Sequence, residues 1–153
     1  MGSSGRKDLS FTVDDVNQLV AEGFPSAHAI GFRCEEFGER WAVARWTYRA
    51  DALRPGGYVP GPTLFGLADV ALWFACFTVL GLEPMAVTSD LSIAFLRPAL
   101  GSDVLARAEL LKVGRSRLYG QVDLWVDGAR DRLVAQAHGS YVPPPDRNRS
   151  GSR

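Results

Sequence analysis

The chain has 153 residues, enough for one domain with its own core but small enough to gain from a partner. Lys plus Arg and Asp plus Glu stand at 17 each, so no basic field exists to hold a nucleic acid backbone, and that class is set aside. The apolar share of 46 % is typical of a globular protein and far above that of a disordered one.

Residues 1–8 are polar and are expected to be flexible. No apolar stretch lies near the start (MGSSGRKDLSFTVDD), which predicts a cytoplasmic chain without a secretory signal. Thr12 or Asp14 is placed to cap a short first helix, with Val13, Val16, Leu19 and Val20 at helical spacing. Pro25 is expected to end it. From Ala29 the period changes. Residues 30–36 and 39–48 read as two strands of a hairpin joined at Gly38, followed by a Gly/Pro-rich loop, LRPGGYVPGP.

Residues 62–80 carry the strongest helical signal. Gly61 fits an N-cap, Pro62 fits the first turn, where its missing N–H is not needed, and Gly81 fits the stop. Extended segments are predicted over 86–96, 104–113 and 118–126. Val104, Ala106, Ala108 and Leu110 share one face of the second. Leu118, Gly120, Val122, Leu124 and Val126 alternate in the third. Asp127-Gly128 is a turn signal, and residues 133–142 form the last strand. The tail from Pro143, PPPDRNRSGSR, is proline-rich, then basic and Ser/Gly-rich, and is expected to be disordered. The domain reading is thus a flexible 1–8, one domain over 9–142 and a disordered 143–153.

The element order implies an α+β fold, an antiparallel sheet wrapped around one buried apolar helix. Residues 62–80 are also near the length of a membrane span. A charge at Asp69, a Gly-Pro start and the long strands around it argue against one, and no membrane partner is expected.

Asp69 is the only ionisable side chain of that helix apart from Cys76, and its neighbours are Leu67, Ala68, Val70, Ala71 and Leu72. An isolated carboxylate there is costly unless paired or protonated. An exposed stripe would carry other polar residues, yet the positions one turn away are Phe65, Gly66, Leu72 and Trp73. The placement points to function. Gly61, with no side chain, lets a ligand approach its N–H at the positive end of the helix, a plausible oxyanion site for a carbonyl. Pro62 has no N–H, so Gly61 must supply the donor. Gly61 and Asp69 are eight residues apart, roughly 12 Å along one helix axis. One carbonyl carbon cannot touch both at roughly 3 Å. If both act on one substrate they come from two chains, and the site lies at a dimer interface.

GPTLFGLADVALWFA, then AVTSDLSIAFLRPA, DVLARAELLKVGRSRLYGQVDLWV and LVAQAHGSYV, in this order and spacing, resemble the hot-dog-fold acyl-CoA thioesterases of the phenylacetate-pathway type. The resemblance covers roughly residues 54–142. It implies a long helix wrapped by an antiparallel sheet, assembly as a homodimer or homotetramer, and hydrolysis of an acyl-CoA or aroyl-CoA to the acid and CoA. It implies no metal and no cofactor beyond the CoA of the substrate. The family's helix carboxylate falls on Asp69, its oxyanion glycine on Gly61, and a positioning hydroxyl on Thr88. Two positions depart from the pattern. The usual His-Gly-Gly reads Pro60-Gly61-Pro62, and a loop position that often holds Asn or Gln is Arg54. Both departures bear on rate and substrate.

The remaining candidates are weighed beside this. Lys112, Arg115 and Arg117 cluster in LLKVGRSRLYG and are candidates to hold the phosphates of CoA, against a plain polar hairpin tip. Arg54 and Arg97 are further candidates, and Pro60 and Pro62 flank the glycine. Trp73, with Phe74 and Phe77, is placed either to shape an acyl pocket or simply to fill the core. Thr88 and Asp90 are expected on one face of their strand with Ser89 on the other. His28, read in a loop, and His138, in the last strand, are expected to be structural or exposed. A hydratase on this fold would want a His near the helix, and none lies between them. Cys34 and Cys76 sit in no CxxC or Cys/His cluster, so two buried thiols are expected rather than a metal site or a disulfide.

Overall fold

The computed structural model describes residues 9–145; residues 1–8, expected to be flexible, and 146–153, the larger part of the tail 143–153 expected to be disordered, lie outside the described residues. Helix α1 spans Val13–Gly23 and opens with a capping box. Thr12 Oγ1 accepts from the Asp15 amide at 3.2 Å, while the Thr12 amide donates to the Asp15 carboxylate at 2.8 Å. Pro25 does more than end this helix: it is the first residue of a second one, α2, over Pro25–Ile30. A proline costs no hydrogen bond at that position. Gly31, at φ 103°, closes α2 in the left-handed region that suits glycine. The first strand therefore begins at Phe32, not at residue 30, and His28 sits exposed on α2 rather than in a loop.

Strands β1 (Phe32–Gly38) and β2 (Trp41–Trp46) form the expected hairpin. The long helix α3 covers Gly61–Leu80. Its N-cap is Pro60, so Gly61 is the first helical residue rather than the cap, and Pro62 is the second. Four strands follow, β3 (Val87–Phe95), β4 (Val104–Val113), β5 (Leu118–Val126) and β6 (Ala135–Val142). All pairings are antiparallel, in the order β1-β2-β4-β5-β6-β3. This is the hot-dog arrangement that the resemblance implied. The last strand is two residues shorter at its start than expected.

The sheet wraps α3, and the reason is on its inner face. Val104, Ala106, Ala108 and Leu110 of β4, Leu118, Val122 and Leu124 of β5, and Ala135 and Ala137 of β6 are all buried. Facing them are Leu67, Leu72, Phe74, Ala75 and Phe77 of α3. Each large side chain so buried contributes about 1.5–3 kcal/mol. Many of the sheet positions are small, which lets the helix axis come close. At Gly120 a Cβ would lie only 2.7 Å from Leu72 Cδ1. By length and composition α3 passes as a membrane span, but here it is the core of a sheet-wrapped domain.

The outer face carries a second, smaller cluster of Val43, Leu105 and Trp125. Cations shield it: the Arg107 guanidinium stands 5.0 Å from the Trp41 ring centre, and that of Arg130 stands 4.9 Å from the Trp125 ring. The free edge at β3 is different. Its flank carries exposed Val87, Phe95 and Leu96, more than half of each accessible.

Candidate active site

Asp69 is half-buried on α3, between the fully buried Ala68 and the buried Val70. Two hydroxyls converge on one of its oxygens. Thr88 Oγ1 donates to Oδ1 at 2.7 Å, and the Tyr141 phenol donates to the same atom at 2.7 Å. The phenol also lies 3.0 Å from the Asp69 carbonyl oxygen. Among the described residues no hydrogen bond engages Oδ2. The carboxylate is thus held by one oxygen and offers the other. It is not the isolated charge that the helix sequence suggests.

Tyr141 was not singled out from sequence. It closes the inner face of β6, after Ala135, Ala137 and Gly139, so period-two alternation turns its ring toward α3. A buried phenol needs a partner, and Asp69 is the polar group that α3 presents there. Burial, and then the Asp69 charge, push the phenol far above its ordinary pKa, so it stays a donor. The same two causes push the Cys76 thiol up to about 12.

Thr88 reaches Asp69 because β3 is irregular. The β3–β6 register slips between Thr88 and Asp90: Thr88 faces Tyr141, while Asp90 already faces Ser140. The extra residue, Ser89, makes a bulge. It re-phases the strand, so Leu91 and Ile93 pack inward. Thr88 also points inward, but Asp90 points outward, where it lies 3.9 Å from Arg117. Thr88 and Asp90 therefore do not share a face as simple alternation required.

Asp69, Thr88 and Tyr141 line a cavity of about 680 Å³ with Phe24, Phe32, Val70 and Trp73. Among the described residues, Asp69 is its one carboxylate and no cation lines it. Of the three aromatic candidates on α3, Trp73 lines this cavity, whereas Phe74 and Phe77 pack behind it in the core. Gly61 lies elsewhere. It lines a separate cavity of about 630 Å³ with Pro62, Arg54, Tyr58, Phe95 and Arg97. No residue lines both. The Gly61 amide belongs to the first helical turn and has no acceptor within the helix. Arg97 donates to the Leu133 carbonyl at 2.9 Å, and Arg54 makes no ion pair among the described residues. Two arginines and a helix N-terminus give this cavity a positive lining. Pro60 caps the helix beside it.

Lys112, Arg115 and Arg117 are exposed at the β4–β5 turn and line neither cavity. His138 is exposed on β6. Cys34 and Cys76 are free and buried.

The profile of the thioesterase superfamily matches residues 56–132. The acyl-coenzyme A thioesterase PaaI of Escherichia coli K12 is 33% identical over 114 residues, spanning 74% of this chain and 78% of that protein. A solved structure from Silicibacter sp. TM1040, provisionally assigned as a thioesterase, superposes with a TM-score of 0.81 at 34% identity, over 90% of this chain and 95% of that one. The structure of E. coli PaaI superposes at 0.74 with 25% identity, over 87% and 94%. This chain belongs to the thioesterase superfamily.

Proposed function

We propose that the protein is an acyl-CoA thioesterase whose site is shared by two copies of the chain. The observation that carries this reading is the Asp69 carboxylate, fixed through Oδ1 by Thr88 and Tyr141 at the wall of an apolar cavity, with Oδ2 left unbonded. The similarity to an acyl-coenzyme A thioesterase supports the substrate class.

The second half of the site follows from β3. Thr88, bonded to Asp69, stands near one end of this strand. Phe95 ends the other, and its ring lies 3.3 Å from where a Cβ on Gly61 would stand. The seven-position step from Thr88 to Phe95 spans roughly 23 Å. β3 is a free edge with exposed apolar side chains at its two ends, a hazard in a lone chain unless something covers it. Antiparallel pairing of β3 with β3 of a second copy would set the Phe95 end of one strand beside the Thr88 end of the other. The Gly61 amide of one protomer would then face the partner subunit's Asp69, twice per dimer, as two-fold symmetry requires.

The chemistry is hydrolysis of the thioester to a carboxylic acid and CoA thiol. Gly61 N–H polarises the carbonyl and stabilises the oxyanion. Asp69 Oδ2 takes a proton from the attacking water, or attacks the carbonyl itself to give an anhydride that water then opens. In either route CoA leaves as the thiolate and is protonated. Label found in Asp69 after a single turnover in heavy-oxygen water identifies the anhydride route, with water opening the anhydride at the Asp69 carbonyl. The reaction needs no metal or cofactor. Arg54 and Arg97, on the Gly61 side, suit the phosphates of CoA; the aromatic cavity at Asp69 suits the acyl group.

Thiol release from a panel of acyl- and aroyl-CoAs tests the reading. Turnover by the wild type, reduced about 10²–10⁴-fold in Asp69→Asn with binding retained, is the expected result. Binding without turnover by the wild type would make the protein an acyl-CoA-binding member of the superfamily instead.

A further inference from the structure

A third cavity of about 340 Å³ lies beside the Asp69 cavity, reaching Trp46, Ala52 and Thr63. Three residues line both, Ile30, Phe32 and Gly66, so they form the wall between the two. Phe32 is the substantial part of that wall. It is the first residue of β1, 6% exposed, and its ring lies on α3 at Gly66. A Cβ at Gly66 would stand 3.1 Å from two atoms of that ring. A glycine inside a helix is unfavourable relative to alanine. Here it provides the bare backbone on which the ring rests. The far chamber is not simple core. The Trp46 indole N–H that borders it is buried with no partner among the described residues.

We propose that Phe32, seated on Gly66 and flanked by Ile30, is the size-determining residue of the acyl site. It ends the Asp69 cavity, so the enzyme takes a compact acyl group. Without the ring, the cavity opens into the second chamber and accepts a longer chain. This inference rests on the thioesterase reading of Asp69. Compact and extended acyl groups would compete through the same carboxylate and the same oxyanion donor, and would differ only in whether the tail meets this wall.

The test is kcat/KM across linear acyl-CoAs from butyryl to dodecanoyl, for the wild type and for Phe32→Ala, with melting curves alongside. Wild-type values should fall with length. In Phe32→Ala the ratio of dodecanoyl to butyryl should rise roughly tenfold or more. Phe32→Leu keeps an apolar side chain at the head of β1 and carries the test if Phe32→Ala is insoluble; its ratio should move in the same direction by less. An unchanged ratio in a folded variant overturns the proposal, as does a wild type that already prefers the longest chain. If the wild type hydrolyses none of them, nor any aroyl-CoA, the thioesterase reading itself fails and this inference falls with it.

Discussion

Asp69 and Tyr141 are 72 residues apart and meet at 2.7 Å. That distance in sequence is why one was legible and the other was not. Asp69 stood out because every neighbour on its helix is apolar. Tyr141 read as one more large residue of a β-strand, although the small residues before it on the same face already implied a ring aimed at the helix. Replacing Tyr141 by Phe should leave the ring packed and remove one of two donors to Oδ1. The expected outcome is a roughly tenfold or greater loss in kcat, with a smaller effect on KM, since an interaction with the reacting carboxylate is lost rather than a contact with substrate. Thr88→Val should act in the same direction. The cysteines give a residue-scale test of burial. Both thiols are pushed up to about 12, by burial first, then by Glu35 for Cys34 and by Asp69 for Cys76. A raised pKa leaves little thiolate below it. At pH 8 the native protein should therefore react negligibly with a thiol reagent, and titrate two groups once denatured.

At the scale of elements, β4 and β5 appear with the bounds that the sequence pattern predicted, because strict alternation with small inward residues fixes both ends. α2 was not legible: six residues are too few for a helical period, and Pro25 read as a stop for α1 without showing that it also starts a helix. The bulge at Ser89 was not legible either, because a register slip is a property of the β3–β6 pair and not of β3 alone. It nonetheless decides which side chain reaches Asp69. The capping box predicts that Thr12→Ala costs about 1 kcal/mol, measurable by urea denaturation. A larger cost belongs to the core: Leu72→Ala, where α3 packs on Gly120 of the sheet, should cost about 2–5 kcal/mol. Arg45 ties β2 to Glu35, Asp103 and Asp127 at 3.0, 3.1 and 2.8 Å. Its hydrogen bond, then its charge, hold the Asp127 carboxyl below the usual range. A depressed carboxyl pKa adds stability above the unfolded value of about 3.9, and that stability is lost as pH falls through the folded one. Asp127→Asn should therefore flatten the acid side of the melting-temperature profile and leave its slope near neutrality unchanged.

For the molecule as a whole, the proposed function makes one chain the holder of two half-sites that cannot act on one carbonyl. On that reading the oxyanion donor lies in one cavity and the carboxylate in another, roughly two turns apart on α3. The free edge at β3 is the surface through which a second copy would bring them together. If Gly61 and Asp69 act on one substrate, their spacing implies two chains; the strand proposed to relate them became visible only in the fold, where Phe95 marks one end and Thr88 the other. Mixing two inactive variants tests this most directly. Asp69→Asn chains and Gly61→Val chains, each inactive alone, are co-expressed and the mixed dimer is purified with two tags. A mixed dimer has one site built from two intact halves and one built from two altered ones, so about half the wild-type activity per dimer should return. A mixed dimer as inactive as its parents would contradict the shared site.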